Sequence, residues 1–560
     1  MNSAEIRERF LKFFEKRGHK IIPSASLVPE NDNSVLFTTA GMQQFKPYFI
    51  GLADAKKDFG TLNTASIQRC IRTSDIEEVG DESHLTFFEM LGNFSFGGYW
   101  KKDAIQYGYD FITKELGLKI DYVTVFQGEG EVPSDTESEK IWRTIDQHIL
   151  IKKAGRSDNF WGPTGEEGPC GPTTEIYVDG IEVWNIVFNE YFQNKSKGLA
   201  PLKVTGIDTG MGLERLAKVV QKTPTVFETD LFSFGQILSD FDERTKRIIL
   251  DHSRAVVFLI NDGVEPTNKG RGYILRRLLK RIVTHYYLAS ISKKVPMNYE
   301  DILRAVCIKY KDIYPSLDLS RVEDIVRNEY IRFNESLPKG LKELSKMKSI
   351  DISNAFLLFE SYGLDFDLIK ELAPKETERL TREDFEKELK KHQEISRAGA
   401  EQKFKGGLAD TSEMSVKYHT ATHLLNAALR EVLGKEVVQK GSNITPERLR
   451  FDFSYPNKMT DEQKKAVEDL VNSKIEANLP VSFKEMSKEE AEKTGAVHAF
   501  GEKYGDVVKV YSIGDEKNGY FSREFCGGPH VERTGILGHF KITKEEAVSA
   551  GVRRIKAVLE

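Results

Sequence analysis

An α+β protein of several domains is the fold class that the sequence predicts, on three observations. The chain has 560 residues, well beyond the length at which a single core stops growing. Up to residue 235, short apolar runs alternate with Gly and Pro clusters, the pattern of mixed strand and helix. From 236 to 400 apolar residues recur at helical spacing. The mixed pattern returns over 416–560, after a polar linker at 401–415 that holds Gly406 and Gly407.

In chain order, Ile6, Phe10, Phe13 and Phe14 recur at helical spacing, so an amphipathic helix is predicted to open the chain before a loop rich in Pro and Ser. Strands are expected at SIQRCIR, LTFFEML, EIYVDG, EVWNIVF and LKVTGID. Helices are expected at RTKRIILDHSRAVVFLI, RGYILRRLLKRIVTHYYLA and ERLTREDFEKELKKHQEISRAGA. In the last region a helix carries H-T-A-T-H, and DVVKVYSI reads as a strand. There is no internal repeat and no low-complexity tract.

With 39% apolar and 30% charged residues the chain reads as an ordinary soluble protein. A formal net charge of −5 argues against indiscriminate coating of nucleic acid, while allowing a local basic surface. Cys70, Cys170, Cys307 and Cys526 are scattered without paired spacing, which fits a reducing compartment better than a disulfide framework. Glu5, Glu8 and Glu15 speak against a transit peptide, and no run is long enough to span a bilayer. A cytoplasmic location with no membrane contact is the expectation.

His419 and His423 in H-T-A-T-H stand at i and i+4, so one helical face can aim both imidazoles at one ion. Thr-Ala-Thr fills the place where a zinc protease carries its Glu, which sets that class aside. C-G-G-P-H adds Cys526 and His530 around a Gly pair that lets the backbone turn sharply. A polar helix face or satisfied core histidines explain the first spacing as well when it is taken alone. Together, three imidazoles and a thiolate form a tetrahedral zinc set. With no position obviously open for water, the ion is expected to organise a pocket rather than to hydrolyse.

Upstream, Ile67, Arg69 and Ile71 share one strand face, and Leu85, Phe87, Glu89 and Leu91 share another. An Arg and a Glu on apolar faces each need a partner. A salt bridge between them is one reading; a guanidinium held for a phosphate or carboxylate is the other. LKVTGIDTGMGLERLAKVV runs from a strand through Asp208, Gly210 and Gly212 into a helix with Arg215 in its first turn, an entry suited to an anion. It is neither a Walker loop nor a dinucleotide fingerprint.

The motifs RGHKIIPSASLVP, LFTTAGMQQFKPYF, SIQRCIR, TFFEMLGNFSFG, SDNFW, GPCGPTTEI, VWNIVFNEY, DTGMGLERLA, RGYILRRLLKR, HTATHLLNAALREVLG, LRFDFS, CGGPH and AGVRRI cover nearly the whole chain. In that order they resemble the alanyl-tRNA synthetases, which are class II aminoacyl-tRNA synthetases. The resemblance implies an antiparallel six- or seven-stranded sheet with flanking helices over 1–235, a helical acceptor-stem recognition domain over 236–400, and a zinc-containing α/β editing domain over 416–560. It implies alanine, ATP with its Mg²⁺, and tRNA(Ala) as substrates. Arg69 matches the arginine that meets the α-phosphate and the alanine carboxylate, Phe88 and Glu89 the adenine contacts, and Arg215 the arginine on the terminal phosphates. Asp208 matches the acid that receives the α-amino group, with Trp161, Asn185 and Val187 as pocket walls. Thr422 and Gln439 match editing-pocket positions, where Ser-tRNA(Ala) and Gly-tRNA(Ala) are cleared. In NKGRGYILRRLLKR, a stretch without acids, Arg271, Arg276, Arg277 and Lys280 match the region that meets the acceptor stem. Asn268 matches the reader of its G·U pair.

Several departures stand out. Glu360 takes the place of the usual Asp partner of Asn268, Pro529 stands where Thr is usual, and Thr173 where Cys is common. Only a short linker replaces the β-barrel before HxxxH, and the sequence ends just after AGVRRIKAVLE, so a monomer is expected. Two rivals are a trans-editing hydrolase with a degenerate synthetase half, against which intact Arg69, Asp208 and Arg215 count, and an RNA-binding regulator using a structural zinc, for which alanine-dependent ATP–pyrophosphate exchange should be silent. Lys346-Met347-Lys348-Ser349 has the look of a class I loop, but its His-x-Gly-His partner is absent.

Overall fold

Nine strands build the sheet of the first unit: β1 (Lys20–Ile21), β2 (Asn63–Ile71), β3 (Phe87–Ser95), β4 (Tyr122–Phe126), β5 (Ile151–Ala154), β6 (Phe160–Trp161), β7 (Gly168–Val178), β8 (Ile181–Gln193) and β9 (Leu199–Gly212). They run in the order β1-β2-β3-β9-β8-β7-β4-β5, with β6 on β7. From β2 through β3, β9, β8 and β7 to β4 neighbours pair antiparallel, and β1 and β5 join the two edges in parallel. The six central antiparallel strands are the class II arrangement expected above, extended to nine strands by the edge strands β1 and β5 and by β6, and all five strand candidates overlap β2, β3, β7, β8 and β9. The computed structural model describes all residues except 30–31, 33–34, 294–298, 392–411, 498–506 and 550.

The opening helix, Ser3–Glu15, starts on a capping box between Asn2 and Glu5 and buries Ile6, Phe10, Phe13 and Phe14. The helices Glu243–Asn261, Gly270–Lys293, Tyr299–Tyr310 and Leu319–Leu344 follow the sheet. They do not form a core of their own. One apolar cluster runs from Ile6 to Val326, and Phe258 stacks on Phe87 of β3 with ring centroids 4.4 Å apart. Chain contacts accordingly divide the protein at Arg382–Glu383 and not near 235. The boundary expected at 235–236 is a change of secondary structure without a break in packing, because Glu243–Asn261 is buried on every side from Ile248 to Ile260. The helix expected over 378–400 is helical over 382–391, and its remaining residues lie outside the described ones.

The second unit, Glu383–Glu560, is a helix-and-sheet unit as expected. Most of the linker placed at 401–415 lies outside the described residues, and the helix Glu413–Leu433 begins within its span. That helix and Asp461–Glu476 pack with a four-stranded sheet, β10 (Gln439–Thr445), β11 (Arg448–Ser454), β15 (Phe540–Ser549) and β16 (Val552–Leu559), in the order β10-β11-β16-β15. Leu424, Leu425, Phe451, Val467 and Ile555 are among its buried residues. A smaller sheet joins β12 (Val481–Ser487), β13 (Val507–Asp515) and β14 (Gly519–Phe525), and DVVKVYSI lies mainly in β13.

Candidate active site and metal cluster

Register and strand alternation build the first site. In the antiparallel ladder Glu175 faces Asn185, Asn185 faces Gly210 and Val187 faces Asp208. With a side-chain period of two, these residues share one face of the sheet. They line a cavity of about 400 Å³ together with Phe88, Met90, Trp161, Arg72 and Arg215. Gly210 leaves room there for Met90, whose Sδ would lie 3.0 Å from a Cβ at that position. Arg215, in the first turn of the helix Leu213–Gln221, stands half exposed and 2.9 Å from Glu182.

The cavity floor is acidic and short of partners. Asp208 is 4% exposed, and burial pushes its carboxyl up to about 8. It has no ion-pair partner among the described residues. Asn185 Oδ1 is likewise buried without a hydrogen-bond partner, while its amide nitrogen donates to Glu175 Oε1 at 3.1 Å. Glu175 also accepts from Thr124 and Tyr177 at 3.2 and 3.0 Å. Burial still raises it to about 7. An unpaired carboxyl beside an unpaired amide oxygen suits a small ligand that brings its own cationic N–H donors.

Two expected site residues lie elsewhere. Arg69 and Glu89 face each other across β2 and β3, on the face opposite Phe88 and Met90. Neither bonds the other. Arg69 pairs with Asp262 at 3.1 Å and donates to Ser24 Oγ. Glu89 is fully buried between Arg7 and the Tyr314 hydroxyl. Burial opposes its charge, but the Arg7 guanidinium holds it below the ordinary carboxylate value. Both residues serve to bind the sheet to the surrounding helices. Alongside Arg215, the guanidinium that lines the cavity is that of Arg72, three positions on from Arg69 and therefore on the other face, 4.9 Å from the Phe88 ring. Phe88 and Glu89 are adjacent on one strand and cannot both face one cavity, a signal already present in the alternation.

In the second unit His419, His423, Cys526 and His530 bring one donor atom each within 4.8 Å of one another. The Cys526 sulfur is 3.4 Å from Nε2 of both His419 and His530. Each imidazole uses Nδ1 outward: His419 on the Pro529 carbonyl at 2.9 Å, His530 on Thr420 Oγ1 at 3.1 Å and His423 on Glu524 at 3.0 Å. Such outer bonds fix ring orientation and leave Nε2 for an ion. Pro529 gives only its carbonyl here, so its difference from the usual Thr costs this bond nothing. Burial opposes a thiolate, yet His423 and the three imidazole contacts draw Cys526 down to about 2. Thr422 turns its hydroxyl to the Tyr418 carbonyl at 2.9 Å, and Gln439 opens β10, half-buried. Replacing Glu524 with Gln should weaken metal retention about 10–100-fold in a chelator competition, because a neutral amide orients His423 less firmly.

The helix Gly270–Lys293 is not a row of free cations. Arg276 pairs with Glu329 at 2.8 Å, Arg277 with Asp367 and Glu77, and Lys280 with Asp365 at 3.1 Å. Arg271 donates to the Leu36 carbonyl. The acids that satisfy these cations come from later helices and from the loop after β2. Asn268 is exposed, with its Oδ1 taken by Arg276. Glu360 is exposed near the end of Ile352–Tyr362.

The model of class II (A) tRNA synthetases matches residues 5–445, and that of the threonyl and alanyl tRNA synthetase second additional domain matches 508–556. An alanine–tRNA ligase of Treponema denticola is 46% identical over 99% of this chain and 98% of its own. That of Treponema pallidum is 43% identical over 99% and 98%, and that of Borrelia hermsii 41% over the whole of both. Full-length identity of this order, on a sheet of class II topology with its cavity in place, shows that the chain belongs to the alanine–tRNA ligase family of class II tRNA synthetases.

Proposed function

We propose that the first unit joins L-alanine to AMP at the expense of ATP and passes it to the 3′ end of tRNA(Ala). The observation that carries this reading is Asp208, a buried carboxyl without a counter-charge at the floor of a small cavity. An α-ammonium supplies the missing cation and can also donate to the orphaned Asn185 oxygen. Val187 and Trp161 close the pocket around a short side chain. Phe88 offers its ring to adenine. Arg72 and Arg215 flank the phosphates and oppose charge as pyrophosphate departs, with Mg²⁺ carried by the nucleotide. No covalent enzyme intermediate is required; positioning and charge do the chemistry.

Alanine-dependent ATP–pyrophosphate exchange, with serine and glycine alongside, tests the reading. Silence with alanine would favour a hydrolase alone or an RNA-binding regulator. Arg72→Ala should cut kcat/KM for ATP by about 10²–10³-fold. Arg69→Ala should instead destabilise the fold by about 3–5 kcal/mol, because Asp262 is left buried without its partner. Urea titration of the two variants separates the effects.

A pocket for one methyl also admits glycine, since a missing methylene is worth only about 1–3 kcal/mol. The second unit is the corresponding sieve: His419, His423, Cys526 and His530 would hold zinc, whose four protein ligands brace the fold around the site where Ser-tRNA(Ala) and Gly-tRNA(Ala) are hydrolysed. Thr422 and Gln439 belong to that site by family position. Asn268 and Glu360, both exposed, remain the readers of the acceptor stem, while Arg276, Arg277 and Lys280 act chiefly within the protein. A cytoplasmic monomer completes the reading, and sedimentation over a range of concentrations tests its oligomeric part. No helix among the described residues is long and apolar enough to cross a membrane.

A further inference from the structure

The loop between Arg72 and Phe88 carries one end of the cavity on each of its shoulders, and it is fastened from the helical side. Arg281, 6% exposed, donates through Nη1 to the Ile76 carbonyl and through Nη2 to the Val79 carbonyl. Its other guanidinium edge is gripped by Glu371, with Nε and Nη2 at 2.8 and 2.9 Å. Nη1 also meets His252 Nε2 at 2.9 Å, and His252 Nδ1 meets Asp251 at 2.9 Å. Asp251 in turn accepts the Thr86 backbone N–H at 3.0 Å, where the loop returns to the sheet. Arg277, one turn earlier on the helix Gly270–Lys293, pairs with Glu77 in the same loop. The loop is therefore held at its crest and at its return by one continuous buried polar network.

We infer that Arg281, assisted by Arg277, is a positioning residue for the nucleotide end of the active site. It touches no substrate; it fixes the turn Ile76–Val79 and so the separation and aim of Arg72 and Phe88. This rests on the ligase reading above. A guanidinium is required because two carbonyls and a carboxylate must be met at once by a planar fork. The alanine end should be insensitive, since Asp208, Asn185 and Val187 stand on β8 and β9 and are reached by none of these bonds.

The test is alanine-dependent ATP–pyrophosphate exchange on the full chain with each KM measured separately. In Arg281→Gln the KM for ATP should rise about tenfold or more, the scale of a lost charged hydrogen-bond pair, with the KM for alanine within about twofold of wild type. Arg281→Lys, which keeps the charge without the fork, should restore only part of this. Glu77→Gln alters an acid 40% exposed on the loop itself and keeps the test available if Arg281→Gln does not fold. Its KM for ATP should rise about threefold, and backbone amides 73–84 should exchange faster. A wild-type chain that exchanges, with variants whose KM for ATP stays within about twofold or rises in step with that for alanine, overturns the positioning role alone. A wild-type chain silent with alanine overturns the ligase reading and this role with it.

Discussion

Asp208→Asn should lower kcat/KM for alanine by about 10²–10³-fold, the cost of leaving a buried ligand charge without its partner, while the KM for ATP changes little. The free protein should respond in the opposite sense. Burial raises the Asp208 carboxyl to about 8, against about 3.9 in an unfolded chain. Between these values the native state binds the extra proton, so the contribution of this carboxyl to stability is fully present below about pH 4 and is lost as pH rises towards 8. Glu175, raised by burial to about 7, adds a slope of the same sign. Asp208→Asn removes its share, and the variant should melt above wild type at pH 8 and alongside it at pH 4. Catalysis should run the other way, with kcat/KM for alanine climbing from pH 6 to 8 as the carboxylate that receives the ammonium forms. A variant with unaltered use of alanine would end this account of the pocket.

Cys526→Ala should abolish tight metal binding by the second unit. It removes the single thiolate from a set whose other donors are imidazoles, a loss expected to exceed the roughly 10–100-fold of an outer partner. Structural zinc contributes folding free energy directly, so the second unit should also melt at lower temperature. Exchange with alanine should stay near wild type, while Ser-tRNA(Ala) made by the variant should persist. Equal loss of exchange and of deacylation would contradict the division of labour between units. Metal content by atomic absorption, read beside both activities, decides the matter.

What could be read from the chain alone followed local chemistry. Five strands were legible because β-branched and aromatic runs end at Gly and Pro, and the His-bearing helix because its spacing repeats with the α-helical period. The four ligands could be chosen by residue type and spacing, whereas their supports could not: Glu524 lies close to Cys526 in sequence but reaches His423 only through the pairing of β13 and β14. The family resemblance points to Arg69 for the phosphates, whereas strand alternation places Arg69 beside Glu89, away from Phe88, and it is Arg72 that lines the cavity. The basic run 269–281 holds no acid of its own, and Glu329, Asp365, Asp367 and Glu371 come from distant segments. Long-range pairing of this kind leaves no trace in a window of residues. The join read at 235 is not marked by a break in packing for a related reason: periodicity reports the type of an element and is silent on which neighbour covers it.

The stacking of Phe258 on Phe87 and the unbroken apolar cluster around it have an evolutionary corollary. A synthetase whose antiparallel sheet and following helices share one interior cannot gain, lose or exchange either by simple gene fusion, since each half would present the other's interior to water. The compact unit at this end of the chain accordingly runs to residue 382, with the shared apolar cluster reaching Val326. The remainder, which keeps a separate interior, is the part that recombination can move.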